Sequence, residues 1–296
     1  MPRVVEVGHR QFFALLLAVS VTAGACGVDV AVTATRSQQS DSTTTSLSTE
    51  PVPDDSNSAP AVDPSPTEEP DIAITAPILV DASAINFGPN KPTRDYDDFL
   101  LATVSDLDSW WELTYPKIYG APWQPLQGDV YAAYPERPDD LPGCGEPRTS
   151  YDDVQQFVAF YCGLGDFIVY DDGEDGLLAD LADNLGAATI GIVLAHEYGH
   201  AIQQRSGVLD QNLPTVTTEQ QADCFAGAWA GRAARNEGAV SFTDADVGAG
   251  LIAMLEVRDP VGLDQFSPGG HGSGFDRVGA FQTGFVGGPI RCSGLI

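Results

Sequence analysis

HEYGH, residues 196–200, is followed nineteen residues after its last histidine by Glu219, and Glu219 by Asp223 four positions later. Two His at positions i and i+4 of a helix lie about 40° apart around its axis and project from one face. The Glu between them lies within about 100° of each, close enough to flank a bound metal without ligating it. This spacing predicts a catalytic zinc centre. His196 and His200 supply two ligands and a carboxylate the third, leaving one tetrahedral position open. Glu219 is favoured as that third ligand, with Asp223 one turn further along the same face to accept a hydrogen bond from the second ring nitrogen of a ligand His. The reverse order, Asp223 on the metal and Glu219 behind it, uses the same residues. Water on a catalytic zinc ionises near neutral pH, so Glu197 is read as the general base that takes its proton and passes it to a leaving amine.

The motif sits in a segment with helical signals. One helix is predicted from Asn184 or Gly186 to Arg205, closed by Gly207. Gly186, Gly191 and Gly199 weaken it by up to about 1 kcal/mol each, a cost expected where a helix lies close against another backbone. The next helix starts near Thr217 or Thr218, either of which can cap it, and runs to about Asn236. Glu219, Asp223, Ala226 and Ala230 share one of its faces. Further helices are predicted from Thr243 to Arg258 and, after the Gly-rich stretch Pro268 to Gly272, from Ser273 to Phe285. Upstream, Tyr96, Phe99, Leu100, Val104, Leu107, Trp110, Trp111, Leu113 and Ile118 recur at helical spacing between Asp95 and Tyr119, predicting an amphipathic helix that ends near Pro116. Val154 to Asp171, with a Gly163 to Asp166 turn, reads as a two-stranded hairpin. Its exposed edge is suited to pairing with an extended peptide beside the metal. The elements add up to an α+β domain, mainly helical with a small antiparallel sheet.

Beyond the ligands, His271 is the one other His expected in the mature chain. It lies in a Gly-rich loop before a helix and is read as a catalytic residue stabilising an oxyanion. Tyr198 points away from both ligand His and is read as core. Arg277 is read either as a holder of a substrate carboxylate or as half of a salt bridge.

The composition is uneven along the chain. Residues 1–25 carry Arg3 and Arg10, an apolar run from Phe12 to Val21 and then small residues, the pattern of an export signal, and the run is too short to span a bilayer. Cys26, directly after Ala23, Gly24 and Ala25, resembles the lipidated Cys of bacterial lipoproteins, although Ala23 stands where that motif usually has Leu. The expectation is an anchor at the extracytoplasmic face of the cell membrane, or secretion if Cys26 is not lipidated. Residues 26–80 continue into a Ser/Thr/Pro/Asp-rich stretch with almost no aromatic side chains, which reads as a disordered linker because it cannot bury enough apolar surface to offset ordering. The net charge of −28, from 42 acidic and 14 basic residues, excludes nucleic acid as an expected partner, since no Lys/Arg cluster is present. Apart from Cys26, the chain has Cys144, Cys162, Cys224 and Cys292, an even number that suggests two disulfides in an oxidising compartment. Three pairings are open. Cys144 with Cys162 closes a short loop, and Cys224 with Cys292 then ties the Glu219 helix to the C-terminus.

Three blocks in order, HEYGHAIQ, EQQADCFAGAWAG and HGSGFDRVGAFQTGF, resemble the neutral zinc metallopeptidase family of bacteria. WWELTYPKIYG and FYCGLGDFIVYDD fit as well, so the likeness spans residues 92–296. The resemblance implies a zincin-like fold, zinc on His196, His200 and Glu219, and Glu197 as base. The chain departs from the family's usual residues at Ala201, Gln220, Phe275, Asp276 and Gly279. The expected function is that of an exported zinc endopeptidase acting on a peptide or protein substrate. The alternative is a binding or scaffolding lipoprotein that keeps zinc with little hydrolytic activity.

Overall fold

The computed structural model describes residues 80–137, 141–259 and 270–296. The expected signal of residues 1–25, Cys26, the linker as far as residue 79, and Pro268 lie outside the described residues. The elements are β1 (Ile85–Asn86), α1 (Asp97–Tyr119), β2 (Val130–Ala133), α2 (Tyr151–Phe157), β3 (Ala159–Cys162), β4 (Phe167–Asp171), α3 (Leu177–Leu185), α4 (Ala188–Ser206), α5 (Thr215–Ala234), α6 (Asp244–Glu256), α7 (Gly274–Gly287) and α8 (Pro289–Ser293).

The domain is mainly helical with one small sheet, as expected, but the sheet is mixed rather than wholly antiparallel. Its order is β1-β2-β4-β3, with β1, β2 and β4 parallel and β3 antiparallel to β4. The expected hairpin is present as β3 and β4, in register from Ala159 opposite Tyr170 to Cys162 opposite Phe167. Its first strand, however, starts at Ala159 rather than Val154. Ser150 and Asp153 form a reciprocal capping box that starts α2 instead, so local polar chemistry overrides the apolar run. The exit from α2 is Val158, with φ of 68°, an unusual conformation for a β-branched residue. β4 is buried at all five residues, which explains its continuous apolar run, and β3 is left at the sheet edge.

α4 is the central element, packed against α1, α3, α5, α6 and β3, and its burial on nearly all sides follows from its lack of a polar stripe. It begins at Ala188, not at Asn184 or Gly186. Asn184 belongs to α3, which Gly186 terminates with φ of 99°. Gly207 closes α4 in the left-handed region, as its position predicts. α5 starts at Thr215 after Pro214, two or three residues before the expected caps, and the Thr218 hydroxyl donates inside the helix to Thr215 O. Thr243 and Ser273 do cap α6 and α7.

α5 and α7 nearly touch along their backbones. A Cβ on Gly284 would lie 1.8 Å from Cys224 O, so only glycine permits the approach. The disulfides are Cys144–Cys162 and Cys224–Cys292, the second fixing α8 to α5. The core joins Trp111, Phe225, Trp229 and Phe281, with Trp111 meeting Phe225 edge-on at 5.3 Å. Buried Asp106 is fully used, accepting from Trp229 Nε1 at 2.8 Å, from Arg232 and from Ala239 N at 2.7 Å. Among the described residues no helix is long and apolar enough to cross a membrane.

Candidate metal centre

The helical period of α4 puts His196 and His200 on one face, their rings perpendicular with centroids 4.8 Å apart. α5 lies alongside because Gly199 has no side chain. A Cβ there would sit 2.7 Å from the Ala222 Cα, between the two acidic residues of α5. Glu219 then faces both rings, with Oε2 3.2 Å from His196 Nε2 and Oε1 3.4 Å from His200 Nε2. One ligand atom from each of the three residues lies within 4.8 Å of the others. Asp223 occupies the far side of His196, where Oδ1 is 2.8 Å from Nδ1. Glu219 is thus on the Nε2 side and Asp223 on the Nδ1 side.

Both rings are held from behind. His200 Nδ1 lies 2.9 Å from Gln203 Oε1, an amide oxygen that can only accept. Each Nδ1 therefore carries the proton in the neutral ring, and each Nε2 presents a lone pair toward Glu219. The electrostatics favour a positive charge at that point. Burial pulls the His196 pKa down, but Asp223 and Glu219 outweigh it and push it up to about 10. Burial likewise pushes the Glu219 carboxyl up, and the two His outweigh it and hold it well below the usual range. Two imidazole nitrogens and one carboxylate are the donor set of a catalytic zinc, so the residues present fit that ion.

Asp223 is completely buried and is itself gripped by Arg277, which donates from Nε to Oδ2 at 2.9 Å and from Nη2 to Oδ1 at 2.7 Å. Arg277 also donates to Val257 O at 2.7 Å. Of the two readings of Arg277, the salt bridge is the one formed. Burial raises the Asp223 carboxyl, yet Arg277 and then His196 bring it below its ordinary value.

A cavity of about 630 Å³ opens on this cluster, with Glu197, Val158, Tyr161, Val193 and His271 in its walls. His271 is half exposed there, its Nδ1 3.5 Å from Asp259 Oδ1. Asp259 also accepts from Gly272 N at 2.8 Å and donates its own N–H to Gly272 O, so it holds the backbone next to His271. Tyr198 is fully buried on the opposite side of α4, toward Asp108. Gln203 and Asp259 were not among the residues read from the sequence. Gln203 stands at i+3 from His200 in HEYGHAIQ, a spacing that places it beside that ring, whereas Asp259 carries no local signal.

Comparison with known proteins agrees with this geometry. The chain is 28% identical to "Uncharacterized protein YpfJ" of Escherichia coli K12, over 73% of this chain and 77% of that one. It is 27% identical to "Uncharacterized protein Rv2575" of Mycobacterium tuberculosis, over 65% and 68% respectively. No solved structure matches. Residues 152–294, which hold the three converging side chains, match the family model described as "Putative neutral zinc metallopeptidase".

Proposed function

We propose that the chain is an exported zinc endopeptidase. The observation that carries the reading is the convergence of His196, His200 and Glu219 on an open cavity, with Glu197 in its wall and no fourth ligand-type side chain in the cluster among the described residues. A structural zinc is closed by four protein ligands, whereas a catalytic one keeps a position free. Zinc held by these three residues would bring the pKa of a water toward 7 and polarise a carbonyl.

The chain's own residues do the rest. Glu197 receives the attacking water's proton on its carboxylate and returns it to the nitrogen of the leaving amine. Asp223 and Gln203 each accept a hydrogen bond from an Nδ1–H and so keep both Nε2 atoms turned toward Glu219. His271, oriented by Asp259, donates to the carbonyl oxygen as negative charge builds there. The substrate peptide lies extended along the outer edge of β3, whose residues Ala159, Phe160 and Tyr161 line the cavity. The signal-like residues 1–25 and the two disulfides support export, and Cys26 is the site of a lipid anchor.

The test is cleavage of unfolded proteins and peptide libraries by the purified chain, with and without chelator, beside Glu197→Gln. One zinc per chain is expected in both proteins, with cleavage abolished by chelator and reduced at least about 100-fold by the substitution. Full zinc occupancy without chelator-sensitive cleavage by the wild type would refute the peptidase reading and leave a zinc-holding lipoprotein. For the anchor, Cys26→Ser is expected to release the protein from membranes and to abolish lipid labelling. An unchanged distribution refutes it.

A further inference from the structure

We infer that Gln203 and Gln221 form a directional hydrogen-bond relay that positions His200, anchored at its far end on the backbone of Cys292. The inference rests on the metal-centre reading above. Both glutamines are buried, at 0% and 1% exposure, so each amide must satisfy itself within the protein. Gln203 Nε2 donates to Thr218 O at 2.6 Å and to Gln221 Oε1 at 3.1 Å. Gln221 Nε2 donates to Cys292 O at 3.1 Å.

The direction is dictated by chemistry. Thr218 O and Cys292 O are backbone carbonyls and can only accept, so each glutamine must turn its NH₂ toward a carbonyl. That leaves Gln221 Oε1 facing Gln203 and Gln203 Oε1 facing His200 Nδ1, 2.9 Å away. A flipped Gln203 would point an NH₂ at the Nδ1–H and an oxygen at both the Thr218 carbonyl and Gln221 Oε1, losing three hydrogen bonds and opposing like dipoles. His200 is therefore fixed with its proton on Nδ1 and its Nε2 lone pair toward Glu219. The other end is rigid because Cys292 lies in α8, bonded to Cys224 of α5. α5 thus carries Glu219, the Thr218 carbonyl, Gln221 and the disulfide partner within three turns, so ligand and relay share one scaffold.

His196 reaches the same protonation pattern through a charged partner, Asp223, whereas His200 has a neutral one. Its orientation therefore depends on the geometry of a chain of dipoles. Gln203 is a positioning residue and Gln221 supports it.

The experiment measures zinc affinity by competition with a chromophoric chelator in the full-length protein, for Gln203→Met, Gln221→Met and the double variant, Met preserving length and volume. Gln203→Met is expected to weaken zinc binding about 10- to 100-fold. Gln221→Met is expected to weaken it by a smaller factor, and to add nothing once Gln203 is replaced, because its effect passes through Gln203. In the cobalt-substituted protein each ligand His gives an exchangeable, paramagnetically shifted Nδ1–H resonance. That of His200 should move in both single variants and that of His196 should not, a distinction that general destabilisation would not make. If Gln203→Met does not fold, the His200 resonance in Gln221→Met decides. Zinc affinity within about twofold of wild type in Gln203→Met, additive losses, or equal movement of both resonances overturns the relay. Zinc bound without peptide cleavage removes the peptidase reading and leaves this test intact. Unchanged affinity in Gln203→Met beside a working peptidase removes the relay alone.

Discussion

Replacing Arg277 by Met should destabilise the domain far more than it weakens zinc binding. Arg277 is 2% exposed, and its guanidinium spans three elements, gripping Asp223 of α5 through two hydrogen bonds and donating a third to Val257 O beyond α6. Met fills most of the volume but leaves the Asp223 carboxylate, which is wholly buried, without the larger of its two compensating charges, His196 being the other. Stranding one member of a buried ion pair costs about 3–5 kcal/mol. For a domain of this size each kcal/mol lowers Tm by about 2–4 °C, so a fall of about 6–20 °C is expected. Asp223→Asn strands the guanidinium instead and should cost a similar amount, but it also removes the anionic acceptor of the His196 Nδ1 proton, so zinc affinity should fall about 10- to 100-fold. In the double variant neither charge is stranded, and its loss should be smaller than the sum of the two by about 1–3 kcal/mol. Urea unfolding in zinc-free buffer reads stability without the contribution of metal binding, and chelator competition reads affinity separately. A loss below about 1 kcal/mol for Arg277→Met, with additivity in the double variant, would show that the guanidinium is not the partner that makes a buried Asp223 tolerable.

Gly199→Ala places a methyl 2.7 Å from the Ala222 Cα, so α4 and α5 must separate; stability should fall by about 1–3 kcal/mol and zinc affinity with it, whereas Gly248→Ala, with open space at its Cβ, should leave zinc affinity unchanged. Burial pushes the Asp108 carboxyl up to about 6, only partly opposed by Tyr198, Trp123 and Arg205, and its Oδ1 closes no hydrogen bond of standard geometry. A carboxyl raised above its unfolded value of about 3.9 destabilises the fold when ionised, so its cost is absent below pH 4 and complete above about pH 6. Asp108→Asn should therefore match wild type in urea unfolding near pH 4 and exceed it at pH 8 by up to about 3 kcal/mol; equal differences at both pH values would refute this. Replacing Cys224 and Cys292 by Ser opens a loop with a sequence separation of 68 and should cost about 4 kcal/mol, against about 3 kcal/mol for the 18-residue separation of Cys144 and Cys162, both measurable by calorimetry under non-reducing conditions.

What could be read from the chain beforehand follows the range of each signal. Helical period placed His196, His200 and Glu219 because each pair needs only its own helix and one turn between helices. The apolar run from Val154 predicts a strand where the Ser150/Asp153 capping box instead starts α2, and β1 and β2, two and four residues long, are too short for any periodicity to emerge. Arg277 and Asp259 act through partners 54 and 12 residues away, Asp223 and His271, so their roles exist only in three dimensions. The family departures in the last block make the same point from the other side. Phe275 is 92% exposed, Gly279 has open space where a Cβ would stand, and Asp276 takes part in the Ser273 cap of α7. Arg277, lying among them in sequence, is the side chain of that turn that points inward. The expected oxyanion role of His271 depends on the same segment, since the Arg277 N–H is bonded to Ser273 O and the Gly272 backbone before it is held by Asp259. Variation on the exposed face of α7 therefore leaves the metal centre intact, while one substitution at its buried face reaches Asp223, and through it His196, at once.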